Sequence, residues 1–555
     1  MIHNHKMSKK YTGIILSIFI GIAAFWLIYG FTPLNVTNDR WIMEQYDERD
    51  IITHYAGWEA YRDYKWAFPL GYTDNMAHGQ GFFISFTDSI PWVAIAFKLI
   101  NGILPKTFQY LGLFTLLCYI LQTVAAYMII KYKTDSTCYS LIGSILFSFA
   151  PILMERAFRH TALGAQWLIL FSMYLYFLHK DNPAFKNHIW QALLMVLSIG
   201  IHPYFLPMIA CFALLCAAED VKNKKYKNAL VFPAQIGVTY LAGYIIGVVG
   251  HGVSSYRSGY GHYSMNINAV INPTSIGGYQ WSKFFPVLPS TSGNYDGFNY
   301  LGAGVVAGLA IAILLILIFG DLKNVTDMIK RHILLLGTCV FLTCFALSHR
   351  VSFNDRIITE IPLPDTIIHL GGIFRSSGRM FYPVYYLLIV WIILSVWRMK
   401  EKIKKPAVYI SLIFIVMIQL IDISGCIVEK HINMDINGNE TSILNDAFLN
   451  QVFANSDELL GIDMNRYDKR QTAVLALKND VVISYELTNS GEYDKAEAIK
   501  DKKIDQIINS GELGNYIIML SDESEAQRFA HCKDVIIYHD RNSIYVFKDK
   551  GYNLQ

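Results

Sequence analysis

Apolar runs broken at near-regular intervals by lysines constrain this chain more than any other feature. Residues 13–34, 108–130, 137–154, 161–178, 188–201, 203–218, 229–249, 301–319, 333–347, 381–397 and 407–425 all read this way. A helix needs about 20 apolar residues to cross a bilayer, so the pattern predicts about eleven spans. Lysines cluster in every second connection: at Lys6, Lys9 and Lys10, then within residues 131–133, 180–186, 222–227, 323–331 and 398–405. Positive loops stay in the cytoplasm, which places the N-terminus there and the segment after residue 425 outside, in a multi-pass cell membrane protein. The first run is longer than a signal-peptide core and has no small-residue cleavage site behind it, so it is expected to remain as a span. Residues 89–104 are short, carry Lys98 and read as interfacial, and His202-Pro203 marks a tight turn or a broken helix.

Composition agrees. Of 555 residues, 53% are hydrophobic and 16% charged, against roughly 25% charged in ordinary globular domains. That excludes disorder and a coiled coil. A formal net charge of +3 over such a length excludes a nucleic-acid partner and leaves membrane lipid as the surrounding medium. The eight cysteines form no framework: six lie in or beside apolar runs, while Cys426 and Cys532 could pair or remain thiols. The expected division is a transmembrane part, residues 1–425, and a small soluble α/β domain, residues 426–555. In the latter, strands at 516–520, 535–538 and 543–547 alternate with helical patterns such as 495–508.

Arginine and lysine separate by face. The outer connections of the membrane part hold ten arginines and four lysines, whereas the inner ones hold 17 lysines with Arg331 and Arg398. A lysine suffices as a topology signal, but a guanidinium group holds carboxylates or phosphates bidentately. Pairing with outer-loop acids accounts for any single arginine; the set favours a phosphate-bearing ligand.

The first outer loop, 35–107, is unusually long for a connection. Its segment Asp47-Glu48-Arg49-Asp50-Ile51-Ile52-Thr53-His54-Tyr55-Ala56-Gly57-Trp58 reads as an amphipathic surface helix. Asp47, Asp50 and His54 share one side of it. In Asp88-Ser89-Ile90-Pro91, Asp88 or Ser89 could cap the following helix, and Asp88 could instead support the site. Further candidates are Glu155 to His160, His202-Pro203-Tyr204, the Gly/Tyr-rich loop 250–300, and Phe374 to Arg379.

Taken together, these strings resemble the polytopic glycosyltransferases of the GT-C superfamily, in a poorly characterised bacterial branch. The pattern runs through Asp50 with His54, Gly57-Trp58, Arg62, Pro69-Leu70-Gly71, Asp88-Ser89-Ile90-Pro91 and Phe108-Gln109-Tyr110. It continues in Arg159-His160, His202-Pro203-Tyr204, Gly259 to Asn266, Asn272-Pro273, Gly297 to Gly302, and Phe374 to Arg379. It covers most of residues 13–400, with Arg49 where the branch usually has glycine. The resemblance implies transfer, outside the cytoplasm, of a sugar from a polyprenyl-phosphate-linked donor to a cell-envelope acceptor, with inversion. Asp50 would be the base, helped by Asp47 and His54. Arg375, Arg379 and Arg159 would take the donor phosphate. Glu48, Trp58, Asp88, His160, His202, Tyr204, Tyr263, Trp281 and Asp296 are candidates for substrate contact. Asp47, Glu48 and Asp50 could supply oxygens to Mg²⁺ or Mn²⁺. The alternative is a transporter or flippase for a lipid-linked or anionic solute, with ionisable groups near the bilayer midplane. Against it, charge collects on one face and no internal repeat is evident. A non-catalytic assembly factor is a third reading. The sugar, acceptor, lipid carrier and oligomeric state are not legible.

Overall fold

The computed structural model describes residues 2–43, 50–251, 259–319, 322–434, 442–488 and 493–552, with side chains from Tyr11 onward. It is mainly helical. Among the described residues, six helices are long and apolar enough to cross a membrane: Tyr11–Tyr29, Leu111–Thr134, Thr161–Asp181, Tyr226–Ile246, Ser377–Glu401 and Lys405–Asp422. Thr137–Ser148 and Pro151–Arg159 add a seventh if counted together, bent by 50°. The bend falls where Pro151 supplies no backbone N–H to the preceding turn. The expected eleven spans are thus not all met. Ala303–Phe319 and Ile333–Leu347 are apolar but shorter. Phe205–Lys222 is a helix whose end carries Glu219, Asp220 and Lys222.

The long helices pack sequentially. Tyr11–Tyr29 lies against Leu111–Thr134, and that helix against Thr137–Ser148. Phe185–Ile201 and Phe205–Lys222 form an antiparallel pair joined at His202. Between spans, the non-helical segment after residue 259 is woven by amides. Asn266 Nδ2 donates to Asn294 Oδ1 at 3.0 Å, and Asn294 Nδ2 to the Ser264 carbonyl at 2.9 Å. A carboxylate at the end of the last span, Asp422, accepts from Tyr300, Ser282 and the Ala303 N–H. These bonds tie the segment to itself and to the end of Lys405–Asp422.

The last part of the chain forms a five-stranded sheet in the order Val482–Ile483, Glu458–Gly461, Tyr516–Leu520, Ser543–Lys548, Val535–Asp540. The first three strands are parallel and the last two antiparallel neighbours, with Ile517 opposite Phe547. Short, nearly continuous apolar runs at 516–520 and 543–547 produce those strands, which are buried almost throughout, Ile518 and Val546 among them. Cys426 and Cys532 are buried free thiols, so no disulfide links them.

The helix Ile51–Arg62 departs from expectation. All twelve of its residues are buried, whereas an amphipathic surface helix would leave a wet face. Its second side is covered by the helix Arg466–Lys478 of the C-terminal part. Lys478 Nζ pairs with Asp39, and Gln471 Nε2 donates to the Met43 carbonyl at 2.7 Å.

Candidate functional site

Asp50 sits immediately before Ile51–Arg62 and its carboxylate is gripped on both oxygens. His160 Nε2 lies 3.1 Å from Oδ2, and Arg470 Nη2 is 2.7 Å from Oδ1. His160 ends the bent span, beyond Arg159. Its other nitrogen, Nδ1, faces Arg156 Nη1 at 3.3 Å. A guanidinium can only donate, so Nδ1 accepts and the ring proton sits on Nε2, pointing at Asp50. Burial would raise the Asp50 carboxyl, but the His160 hydrogen bond and the charges of His160, Arg470 and His54 hold it well below the usual carboxylate range. His54, buried one turn along, is pushed down to about 3 by loss of solvent, against the pull of Asp50. It is neutral at pH 7 and its Nδ1 meets Thr161 Oγ1 at 3.3 Å.

From His160 the network continues inward. Arg156 is fully buried and reaches Glu155 at 2.7 Å, Asp296 at 2.8 Å and the Tyr382 hydroxyl at 2.9 Å. Arg379 Nη2 bridges both oxygens of Asp296, at 3.0 and 2.9 Å. Arg159 pairs with Glu155 at 2.9 Å. Burial would raise the Asp296 carboxyl, yet Arg379 and Arg156 keep it far below its ordinary value. Two glycines make the approach of these loops possible. A Cβ at Gly378 would lie 2.5 Å from Gly297 Cα, and one at Gly297 only 2.2 Å from the Ser264 carbonyl oxygen. The chains carrying Asp296 and Arg379 therefore touch backbone to backbone.

Within this connected network, Arg156, Arg159, Arg379 and Arg470 face Asp50, Glu155 and Asp296. Nearby, His202 Nε2 faces Asp88 at 3.5 Å. Half-buried Arg375 lies over the Tyr263 ring at 5.4 Å and, among the described residues, has no carboxylate partner. The surplus charge of the rim is positive. Beside Arg159 and Glu155 lies a small cavity of about 20 Å³, room for about one water, lined also by Trp281, Tyr279 and Lys430. Arg159, Lys430 and the aromatic residues Tyr279 and Trp281 line it beside Glu155.

The sequence candidates fall into groups. Asp50, His54, His160, Arg159, Arg379 and Asp296 come together. His202, Tyr204, Asp88, Tyr263 and Arg375 lie around them: Arg379 sits over Tyr204 at 4.9 Å, and the Tyr204 hydroxyl accepts from the Ser376 N–H. Trp281 lines the neighbouring cavity. Trp58 is not part of the network. It is buried with its Nε1 on the Phe108 carbonyl, as a packing residue between Arg62 and Tyr110. Asp88 is not a helix cap: it adopts φ +53° at the end of a short 3₁₀ turn, and the helix Pro91–Lys98 starts after Ile90 without a side-chain cap. Asp47 and Glu48 lie outside the described residues. Arg156 and Arg470 were missed as site residues. For Arg156 the flanking Glu155 and Arg159 were a signal. For Arg470 there was none, because the string around it reads as an ordinary amphipathic helix.

Divalent metal at Asp50 fits poorly: both its oxygens already meet donors. Among the described residues, the group able to hold a metal ion lies elsewhere.

Long apolar helices beside a buried network of charges define a polytopic membrane protein. It belongs to the family described as a domain of unknown function, DUF6311, whose model matches residues 18–424. No curated protein matches it. Among solved structures, it is similar to an archaeal oligosaccharyltransferase, AglB from Archaeoglobus fulgidus in complex with an inhibitory peptide and a dolichol-phosphate. That match has a TM-score of 0.43 and 10% identity, covering 98% of this chain and 75% of that one. A score at that level does not establish a common fold.

Proposed function

We propose that this protein is a membrane glycosyltransferase of GT-C type, which moves a sugar from a polyprenyl-phosphate-linked donor to a cell-envelope acceptor on the outer side of the membrane. The carrying observation is the connected network that joins Asp50 to Arg470, His160, Arg156, Arg159 and Arg379. Nucleotide sugars are cytoplasmic, so an outer reaction needs a donor delivered by lipid, and such a donor presents phosphate where these guanidinium groups lie. Loops rich in lysine stay inside, which puts the network and the C-terminal domain outside.

In this reading Asp50 takes the proton of the acceptor hydroxyl as the anomeric carbon becomes oxocarbenium-like. His160 orients the carboxylate and Arg156 fixes the His160 tautomer. Arg375, which lacks a carboxylate, meets the donor phosphate first. Arg159 and Arg379 spread charge over the departing oxygens. Arg470 must leave Oδ1 for the acceptor to reach it, so acceptor binding and a shift of the C-terminal domain go together. Direct displacement inverts the anomeric centre. No step requires a metal.

Asp50→Asn should lower sugar incorporation from a radiolabelled polyprenyl-phosphate donor into envelope fractions by at least about 100-fold, the usual worth of a general base. Unchanged turnover removes Asp50 from the chemistry. Robust counterflow of a lipid-linked solute in proteoliposomes, without donor consumption, replaces the enzyme with a transporter.

A further inference from the structure

At the opposite, lysine-rich end of the bundle, three helices bring two imidazoles and a carboxylate together in a dry pocket. His179 ends Trp167–Asp181, His188 lies in the first turn of Phe185–Ile201, and Asp220 in the last turn of Phe205–Lys222. All three are fully buried. One ligand atom from each lies within 4.8 Å of the others. His188 Nε2 is 2.7 Å from Asp220 Oδ2, and His179 Nε2 is 3.2 Å from Oδ1. The two rings meet edge to face at 4.7 Å.

A plain hydrogen-bonded clasp accounts for only part of this. His188 and Asp220 Oδ2 bond properly, but His179 Nε2 and Asp220 Oδ1 face each other without hydrogen-bond alignment. Among the described residues neither atom has another aligned hydrogen-bond partner. Buried polar atoms are rarely left so. Two ligands sharing a tetrahedral zinc ion at about 2.0–2.1 Å stand roughly 3.3 Å apart, close to the His179 to Asp220 spacing. We propose that His179, His188 and Asp220 bind one Zn²⁺, with water in the fourth position. Two imidazoles and a carboxylate suit zinc, whereas Mg²⁺ and Ca²⁺ take all-oxygen shells. Coordination through Nε2 moves each ring proton to Nδ1. The ion pins three helix ends, beside the Lys180–Glu219 ion pair and the Gln235 Nε2 bond to the His188 carbonyl.

This site is separate from the Asp50 network. Trp167 to His179 alone spans about 18 Å of helix at 1.5 Å per residue. The test uses full-length, tag-free protein in detergent, stripped with chelator and titrated with Co²⁺. A single saturable equivalent with visible d–d absorption is expected, together with a rise in melting temperature on adding Zn²⁺. His188→Gln, His179→Gln and Asp220→Asn should lose both, while Asp50→Asn keeps both. Absence of the Co²⁺ band in the parent protein overturns the proposal. So does its survival in all three variants, or its loss in Asp50→Asn. Should the variants fail to fold, elemental analysis of the parent decides: one zinc per chain before chelation supports the site, and none overturns it.

Discussion

The two ends of the helix Trp167–Asp181 solve the problem of buried charge differently. Near its start, Asp50, Glu155 and Asp296 each meet at least one guanidinium group, so every carboxylate is compensated by the protein itself. At its end, Asp220 meets only imidazoles, and among the described residues its Oδ1 has no aligned hydrogen bond. The first arrangement stores compensated charge in one connected network. The second is short of positive charge, which a cation would supply. Burial alone does not distinguish a binding site from a structural knot; the balance of donors, acceptors and charge does.

The sharpest way to break the contrast is to unpair the outer network. Arg379→Ala leaves Asp296 buried with one partner fewer and should cost about 3–5 kcal/mol in thermal unfolding, while Arg379→Leu combined with Asp296→Leu should cost much less. Equal losses would mean that the pair is not a compensated unit. Next in size, Arg470→Ala removes a positive charge from Asp50, so its carboxyl should rise. The acid limb of the pH–rate profile should then move to higher pH by about one unit. An unmoved limb means that Arg470 does not sense the reacting carboxylate.

A third measurement concerns acid stability. His54 is held near 3 when folded but titrates near 6.5 when unfolded, so the unfolded chain binds the extra proton between those values. Stability is fully present above about 6.5 and declines as pH falls toward 3. His54→Gln should flatten that decline. The smallest effect belongs to Glu59, which burial raises to about 7, against the pull of Arg62 and Lys478. Here the unfolded chain loses its proton first, so stability falls as pH rises from about 4.5 to 7. Glu59→Gln should recover about 1–2 kcal/mol at pH 8 and nothing at pH 4.

Much of this architecture was legible because hydropathy and lysine spacing are local signals. The strands at 516–520 and 543–547 announced themselves as short apolar runs, and the helix at 495–508 by its period. The helical string around Asp50 did too, but its burial did not, since the helix Arg466–Lys478 that covers it lies far along the chain. The count of eleven spans is not confirmed: among the described residues some apolar runs form helices shorter than a full span, such as Ala303–Phe319 and Ile333–Leu347, and Phe205–Lys222 reaches its length only by including charged residues at its end. Gathering Arg159, His160, Asp296 and Arg379 was within reach of the outer-loop strings. The role of Gly297 and Gly378 in letting two loops touch was not, because close backbone approach leaves no periodic trace.

The Asp50–Arg470 contact joins residues 420 positions apart. A chain cut short at the membrane part therefore carries a carboxylate of altered proton affinity, and an assay of the proposed chemistry on such a fragment would read a different acid.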